Sequence, residues 1–345
     1  MTYSSYNYIV LNIRSLANMG GVKSCVLSHR FYLMGIAMIL VILYHLYCSL
    51  QTEKIIILRL FSLGFTGVDI FFFFSALGLC FSFSRNSIWK FYTNRLIRII
   101  PLFFLWAVVH LLYMHYYQNL EIVLSDILFC CSSISYYGIG TVRSNWYLSA
   151  LIMFYILFPF LFYITRKFKT ASIYSFIAVA LILQTVYSFE WYHQTFINRF
   201  PIFLLGIYVW LRMNSKDKEW ANTVIHVCLI MTIISFLIVL CTRGTFLYLV
   251  ISLLSPAIVF MLAMTRNVLI KNRYGRFVDN VIDFVGRHSL EFFIGNCWTM
   301  LLMNEVTQLT IAEKVTVYLL SNLVFALVLV PINHIMLSIF KYKII

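Results

Sequence analysis

The residues able to do chemistry in this chain are few, and most sit where charge is costly. His45 closes the run Gly35-Ile-Ala-Met-Ile-Leu-Val-Ile-Leu-Tyr-His45, near the end of an apolar stretch over 31–50. A titratable imidazole in hydrocarbon needs a compensating role, so His45 is the first catalytic candidate. Asp69 follows in a second apolar run. A carboxylate beside an imidazole fixes its tautomer and supports the imidazolium, which is what a general base requires. Next, Lys90-Phe-Tyr-Thr-Asn-Arg95-Leu-Ile-Arg98-Ile-Ile-Pro101 leads into a third apolar run. Arg95 and Arg98 are three apart, share a helical face and can grip a phosphate through forked hydrogen bonds.

The elements that hold these groups must be membrane helices. Hydrophobic residues make up 62% of the 345 residues and charged residues only 11%, far below the roughly 25% charged of a soluble domain. Runs long enough to cross a bilayer fall at 31–50, 64–84, 99–117, 146–165, 170–188, 200–211, 221–241, 246–264, 289–304 and 315–340. The expected fold is therefore an all-α polytopic membrane protein of about ten transmembrane helices. Its expected parts are a short leader over 1–30, one membrane domain over 31–340 and a tail over 341–345. With both termini cytoplasmic, 20 of the 26 Lys and Arg fall on the cytoplasmic side, as the positive-inside rule demands. In this topology His45 and Asp69 lie at nearly the same depth toward the outer face, and contact between them is expected. Pro101 is expected in the first turns of its span.

Composition also excludes several classes. The +14 net charge is spent on topology signals, so no nucleic-acid partner is expected. The eight Cys show neither Cys-x-x-Cys nor zinc spacing, and no metal is expected. Gly138-Ile-Gly140 lacks the context of a dinucleotide loop. Glu291 follows His288 and Ser289 at the start of a span, where Ser289 can cap the helix and an acid suits the dipole. His110, His115 and His334 read as packing or interfacial residues.

Taken together, three segments resemble the membrane-bound acyltransferase 3 family: Gly35 through His45, Gly67-Val-Asp69-Ile-Phe-Phe-Phe-Phe-Ser75, and Phe91 through Pro101. Later segments agree in order: Asn145-Trp146-Tyr-Leu-Ser149, Arg199-Phe-Pro201 to Gly206, and Val285-Gly286-Arg-His-Ser289-Leu-Glu291. The resemblance implies an integral membrane enzyme that moves an acyl group, commonly acetyl, from acetyl-CoA on the cytoplasmic side to a hydroxyl of a cell-surface polysaccharide or its lipid-linked precursor. It implies a bacterial cytoplasmic membrane, His45 as the catalytic residue, Asp69 as its supporting acid, and Arg95 and Arg98 as donor-binding residues. The family usually carries Arg directly before the glycine that is Gly35, where this chain has Met34. Arg30, one helical turn earlier, can supply that charge from nearly the same face. Ser75 is an alternative resting place for the acyl group. Asn145, Trp146 and Tyr147 are candidate donors to a developing oxyanion, and Glu291 a possible supporting acid. Two other readings stay open: a polysaccharide-related transporter or flippase, and a catalytically silent relative within a glycan assembly complex.

Overall fold

A computed structural model describes residues 29–50, 61–186, 195–213, 266, 270, 272–306 and 308–342. These are all-helical, with no strand among the described residues. In chain order the helices are α1 (Arg30–Leu50), α2 (Thr66–Phe83, entered through a 3₁₀ turn at Ser62–Phe65), α3 (Ile88–Tyr116), α4 (Leu124–Cys131), α5 (Trp146–Phe168), α6 (Thr170–Val186), α7 (Phe200–Met213), α8 (Arg273–Arg287), α9 (Ser289–Glu305) and α10 (Ile311–Tyr342). Six described segments are long and apolar enough to cross a membrane: Arg30–Leu50, Ser62–Phe83, Ile88–Tyr116, Trp146–Phe168, Thr195–Met213 and Ile311–Ile339. The runs at 221–241 and 246–264 lie outside the described residues.

α2 is the central helix. It is apolar all round, and Ile70 to Phe74 are all buried, the pattern of a helix enclosed by others. α1 and α7 flank it, while α10 turns Leu320, Val324, Leu327, Val328 and Ile335 outward, as a lipid-facing helix does. Because lipid tails are as apolar as Leu, helix association here depends on close packing at small residues. Gly35 and Gly286 show this most sharply. A Cβ on Gly35 would run into the backbone of Ile282, and one on Gly286 into the backbone of Phe31. These two glycines of the motif segments let α1 and α8 cross backbone to backbone.

Glycines also set the α1–α2 register. Gly64 sits against Leu40 and Tyr44, and Gly67 against Ala37 and Val41. In this antiparallel pair Asp69 is therefore level with about residue 37 of α1, some eight residues or ~12 Å from the level of His45. The expected equal depth of His45 and Asp69 does not hold. Hydropathy locates a span without fixing its axial offset; packing of Gly64 and Gly67 does that.

Two further expectations change. α3 begins at Ile88, capped by Ser87, whose Oγ accepts from Lys90 N at 3.4 Å. Pro101 is thus in mid-helix and leaves the carbonyl of Ile97 without its usual helical donor. Ser289 is not a cap: α9 starts there from His288, with no side-chain capping bond.

Candidate active site

α1, α3, α5 and α9 surround a cavity of about 550 Å³ lined by His45, His110, Arg143, Asn145, Trp146 and Arg199, with Val68 of α2 in its floor. His45 is half-buried in its wall. Its Nδ1 lies 2.5 Å from Asn296 Oδ1, and Asn296 Nδ2 donates to Tyr318 Oη at 2.6 Å. Asn296 and Tyr318 are fully enclosed by protein. With the amide N–H committed to Tyr318, Oδ1 is the acceptor for an N–H at Nδ1. That arrangement holds the proton on Nδ1 and leaves the lone pair on Nε2. The orienting group of the candidate base is therefore an amide on α9, where a carboxylate on α2 was expected.

Asp69 has a different partner. Its Oδ1 lies 2.8 Å from Nε of Arg199, both side chains being buried. Arg199, which the charge count places in an outer loop, is instead a buried cation that lines the His45 cavity. Asp69 acts on the cavity through Arg199: it neutralises and fixes a guanidinium at the floor. Removing either partner would leave an uncompensated buried charge, which costs about 3–5 kcal/mol.

Toward the other end of the bundle, Arg30, Arg95 and Arg98 converge on a small cavity of about 60 Å³, lined also by Met34, Ser75, Tyr155 and Phe293. Arg95 Nη2 donates to the carbonyl of Gly78 at 2.5 Å, and a Cβ at Gly78 would touch both Arg30 and Arg95 guanidiniums at 3.7 Å. Arg30 Nε is buried without a hydrogen-bond partner. No acid stands among the described residues lining this cavity. Arg30 and Arg95 are half-buried while Arg98 is exposed toward the neighbouring space, and like charges converging on one cavity make a site fitted to an anion. Arg30 and Met34 face the same cavity, one helical turn apart.

Arg98 and Leu290 also line a larger vestibule of about 720 Å³, with Asn94, Arg287, His288, Glu291 and His334. Phe293 lines both the arginine cavity and the His45 cavity, and its ring packs on Tyr147 at 4.6 Å between centroids. Vestibule, arginine cavity and His45 cavity thus form a series sharing wall residues. Arg30 and His45 are fifteen residues apart on α1, or ~22 Å along the axis.

The remaining candidates divide between these spaces. Ser75 belongs to the arginine cavity; by the α1–α2 register it is level with about residue 31, ~21 Å from His45. Tyr147 also lines the arginine cavity, so it is not placed with His45. Asn145 and Trp146 line the His45 cavity, but Asn145 Oδ1 is engaged as the α5 cap, accepting from Leu148 N at 3.1 Å, and its Nδ2 meets Cys297 Sγ at 3.3 Å. Glu291 accepts from Asn333 Nδ2 at 2.6 Å and stands 3.8 Å from His288, inside the vestibule wall. His110, which the sequence presents as a packing residue, stacks on Trp106 at 4.8 Å in the His45 cavity. Trp106 Nε1 and His110 Nδ1 are both buried without a partner. Arg199 and Asn296 were the residues missed; the signal for Asn296 was a buried amide inside an apolar run, which must find a partner.

Membrane-length apolar helices thus hold His45 in one cavity and Arg30, Arg95 and Arg98 in a neighbouring one, with Phe293 in the wall of both. Residues 32–333 match the family model of the acyltransferase domain, family 3, and the chain belongs to that family. No curated protein and no solved structure matches it.

Proposed function

We propose that this acyltransferase moves an acetyl group from acetyl-CoA to a hydroxyl of a cell-surface polysaccharide or its lipid-linked precursor, in a bacterial cytoplasmic membrane. The observation that carries the reading is the cavity series itself: an arginine cavity with no acid among its described lining residues shares Arg98 and Leu290 with a vestibule on one side and Phe293 with the His45 cavity on the other. The arginine end faces the cytoplasm, in keeping with the loop charges. Phosphates of the donor bind Arg30, Arg95 and Arg98 by charge-assisted hydrogen bonds, Arg30 supplying the charge that Met34 does not. The acyl-bearing arm passes Phe293 and Tyr147 and presents its thioester beside His45.

There the sugar hydroxyl attacks the thioester carbonyl while His45 Nε2 takes its proton. Asn296 holds Nδ1–H so that Nε2 is the basic nitrogen. Negative charge on the carbonyl oxygen is stabilised by Arg199, positioned by Asp69. The C–S bond then breaks, the thiolate of coenzyme A leaves, and the proton held by His45 goes to the sulfur. Ester and free thiol are the products, and atoms and charge balance. Direct attack is favoured over a relay on Ser75, which stands with the arginines and far from His45.

The test is transfer of radiolabelled acetyl from acetyl-CoA to endogenous glycan in membranes carrying wild-type chain or His45→Ala at matched expression. Label that requires His45 supports the reading. Absence of label with wild type, in membranes shown to contain the acceptor, removes it.

A further inference from the structure

The side chains of α8, which the proposed chemistry does not use, sort onto three faces of the helix at ~100° per residue. Gly275, Asp279, Ile282 and Gly286 share the face turned to the protein, where the backbones of Ile282 and Gly286 lie against Gly35 and Phe31 of α1. Tyr274, Phe277, Val278, Val281 and Phe284 form a second face. All five are exposed, Tyr274 at 84% and Phe277 at 68%. Arg273, Arg276, Asn280 and Arg287 lie within an arc of ~60° on the third, and these are exposed as well.

The carboxylates of α8 are turned away from its basic face. Arg266 donates to Asp279 from Nε at 2.7 Å and from Nη2 at 3.0 Å, and Asp283 accepts from Arg266 Nη2 at 3.3 Å and Arg287 Nη2 at 2.9 Å. Arg273 and Arg276 have no ion-pair partner among the described residues. Contact with residues 31–35, the first turns of α1, sets α8 at the boundary of that span. In water, five exposed apolar side chains in one stripe are an unfavourable patch. At a bilayer surface the same stripe enters the acyl chains while the arginines beside it meet phosphates. The positive-inside rule asks only for cations on this side; it calls for neither the apolar stripe nor the inward turn of both acids. Arg166 and Lys167 are the contrasting case, exposed cations that close the spanning helix α5.

We infer that α8 lies in the plane of the membrane surface at the Arg30 end of α1 and binds anionic phospholipid, its apolar face among the acyl chains and Arg273 and Arg276 on the headgroups. The selectivity is for net negative charge: a zwitterionic headgroup carries its own cation beside the phosphate and gains less from two unpaired guanidiniums. The inference does not depend on the proposed acyl transfer.

The experiment uses the full chain in nanodiscs of phosphatidylcholine and phosphatidylglycerol in equal parts, with a trace of one or the other lipid carrying a diazirine on the acyl carbon nearest the headgroup. Cross-links mapped to residues 273–284 should be at least about fivefold more abundant with the phosphatidylglycerol probe than with the phosphatidylcholine probe, two arginines each contributing attraction to an anionic surface. Arg273→Gln with Arg276→Gln should bring that ratio close to one, and Arg273→Lys with Arg276→Lys should keep most of it. The charge-matched pair Arg166→Gln with Lys167→Gln should leave it unchanged. If the double glutamine variant does not elute as folded protein, Arg276→Gln alone replaces it and should at least halve the ratio. Equal labelling of α8 by the two probes overturns the inference and means that bulk lipid covers the apolar face. A ratio that survives the glutamine variants, or that falls equally with the Arg166 and Lys167 pair, overturns it as well. So does an unlabelled α8 alongside a labelled α10, which would leave the face to a second copy of the chain, another protein or water.

Discussion

Asn296→Ala is the substitution that most specifically probes how the candidate base is held. In the native chain His45 Nδ1 and Asn296 Oδ1 are 2.5 Å apart, and Asn296 Nδ2 donates to Tyr318 Oη at 2.6 Å. Truncation removes the acceptor that keeps the proton on Nδ1 and leaves polar groups of His45 and Tyr318 without their partner. Leaving such buried groups unsatisfied costs about 1–3 kcal/mol, and because about 1.4 kcal/mol is tenfold in rate, kcat is expected to fall ~5- to 150-fold. The loss must stay below that of removing the base itself, about 100- to 10,000-fold. KM for acetyl-CoA should not change, since the arginine cavity lies ~22 Å away along α1. The assay is the initial rate of radiolabelled acetyl transfer at varied donor concentration, with Asn296→Asp beside it. Aspartate keeps an acceptor for Nδ1–H, so its rate should exceed that of the alanine variant. Asn296→Ala with kcat within twofold of wild type, or a change confined to KM, would refute the orienting role.

Other expected outcomes follow from the same geometry. Arg30→Ala should raise KM for acetyl-CoA about tenfold, the size of one charge-assisted hydrogen bond, with little change in kcat; retained affinity would show that Arg30 does not stand in for the charge absent at Met34. Asp69→Asn should lower thermal stability in detergent by about 3–5 kcal/mol and reduce kcat, because Arg199 is left buried without its carboxylate; an unchanged melting temperature contradicts the pairing. Ser75→Ala should retain transfer within about twofold, a factor worth less than 0.5 kcal/mol, and loss of activity without loss of coenzyme A binding would revive the acyl relay. Gly286→Ala should disrupt assembly of α8 on α1, read as loss of folded protein on size-exclusion chromatography, because the new methyl group meets the backbone of Phe31.

The helices and the family were legible because both depend on local patterns. Apolar runs marked α1, α2, α5, α6, α7, α9 and α10 to within a few residues, and the order of short motifs carried the resemblance. What remained hidden was set by packing between distant segments. His45 and Asn296 are 251 positions apart, and nothing near either names the other. Asp69 looked like the partner of His45 because both follow short sequence paths from the same connection, yet Gly64 and Gly67 slide α2 along α1 by a distance that hydropathy does not encode. Arg199 looked like a loop charge because it precedes an apolar run, and its burial follows only from the carboxylate waiting on α2. Arg30 beside Met34 was correctly read as a shared face, since one helical turn is a local relation.

The central claim, that donor and acceptor meet from opposite ends of the cavity series, is tested most directly by sidedness. Sealed membrane vesicles of defined orientation are given radiolabelled acetyl-CoA on one side only, with glycan acceptor confined to the other, for wild type and His45→Ala. The account predicts label on glycan only when acetyl-CoA is on the side of Arg30, Arg95 and Arg98, and none with His45→Ala. Label that appears only when donor and acceptor share a side would contradict it.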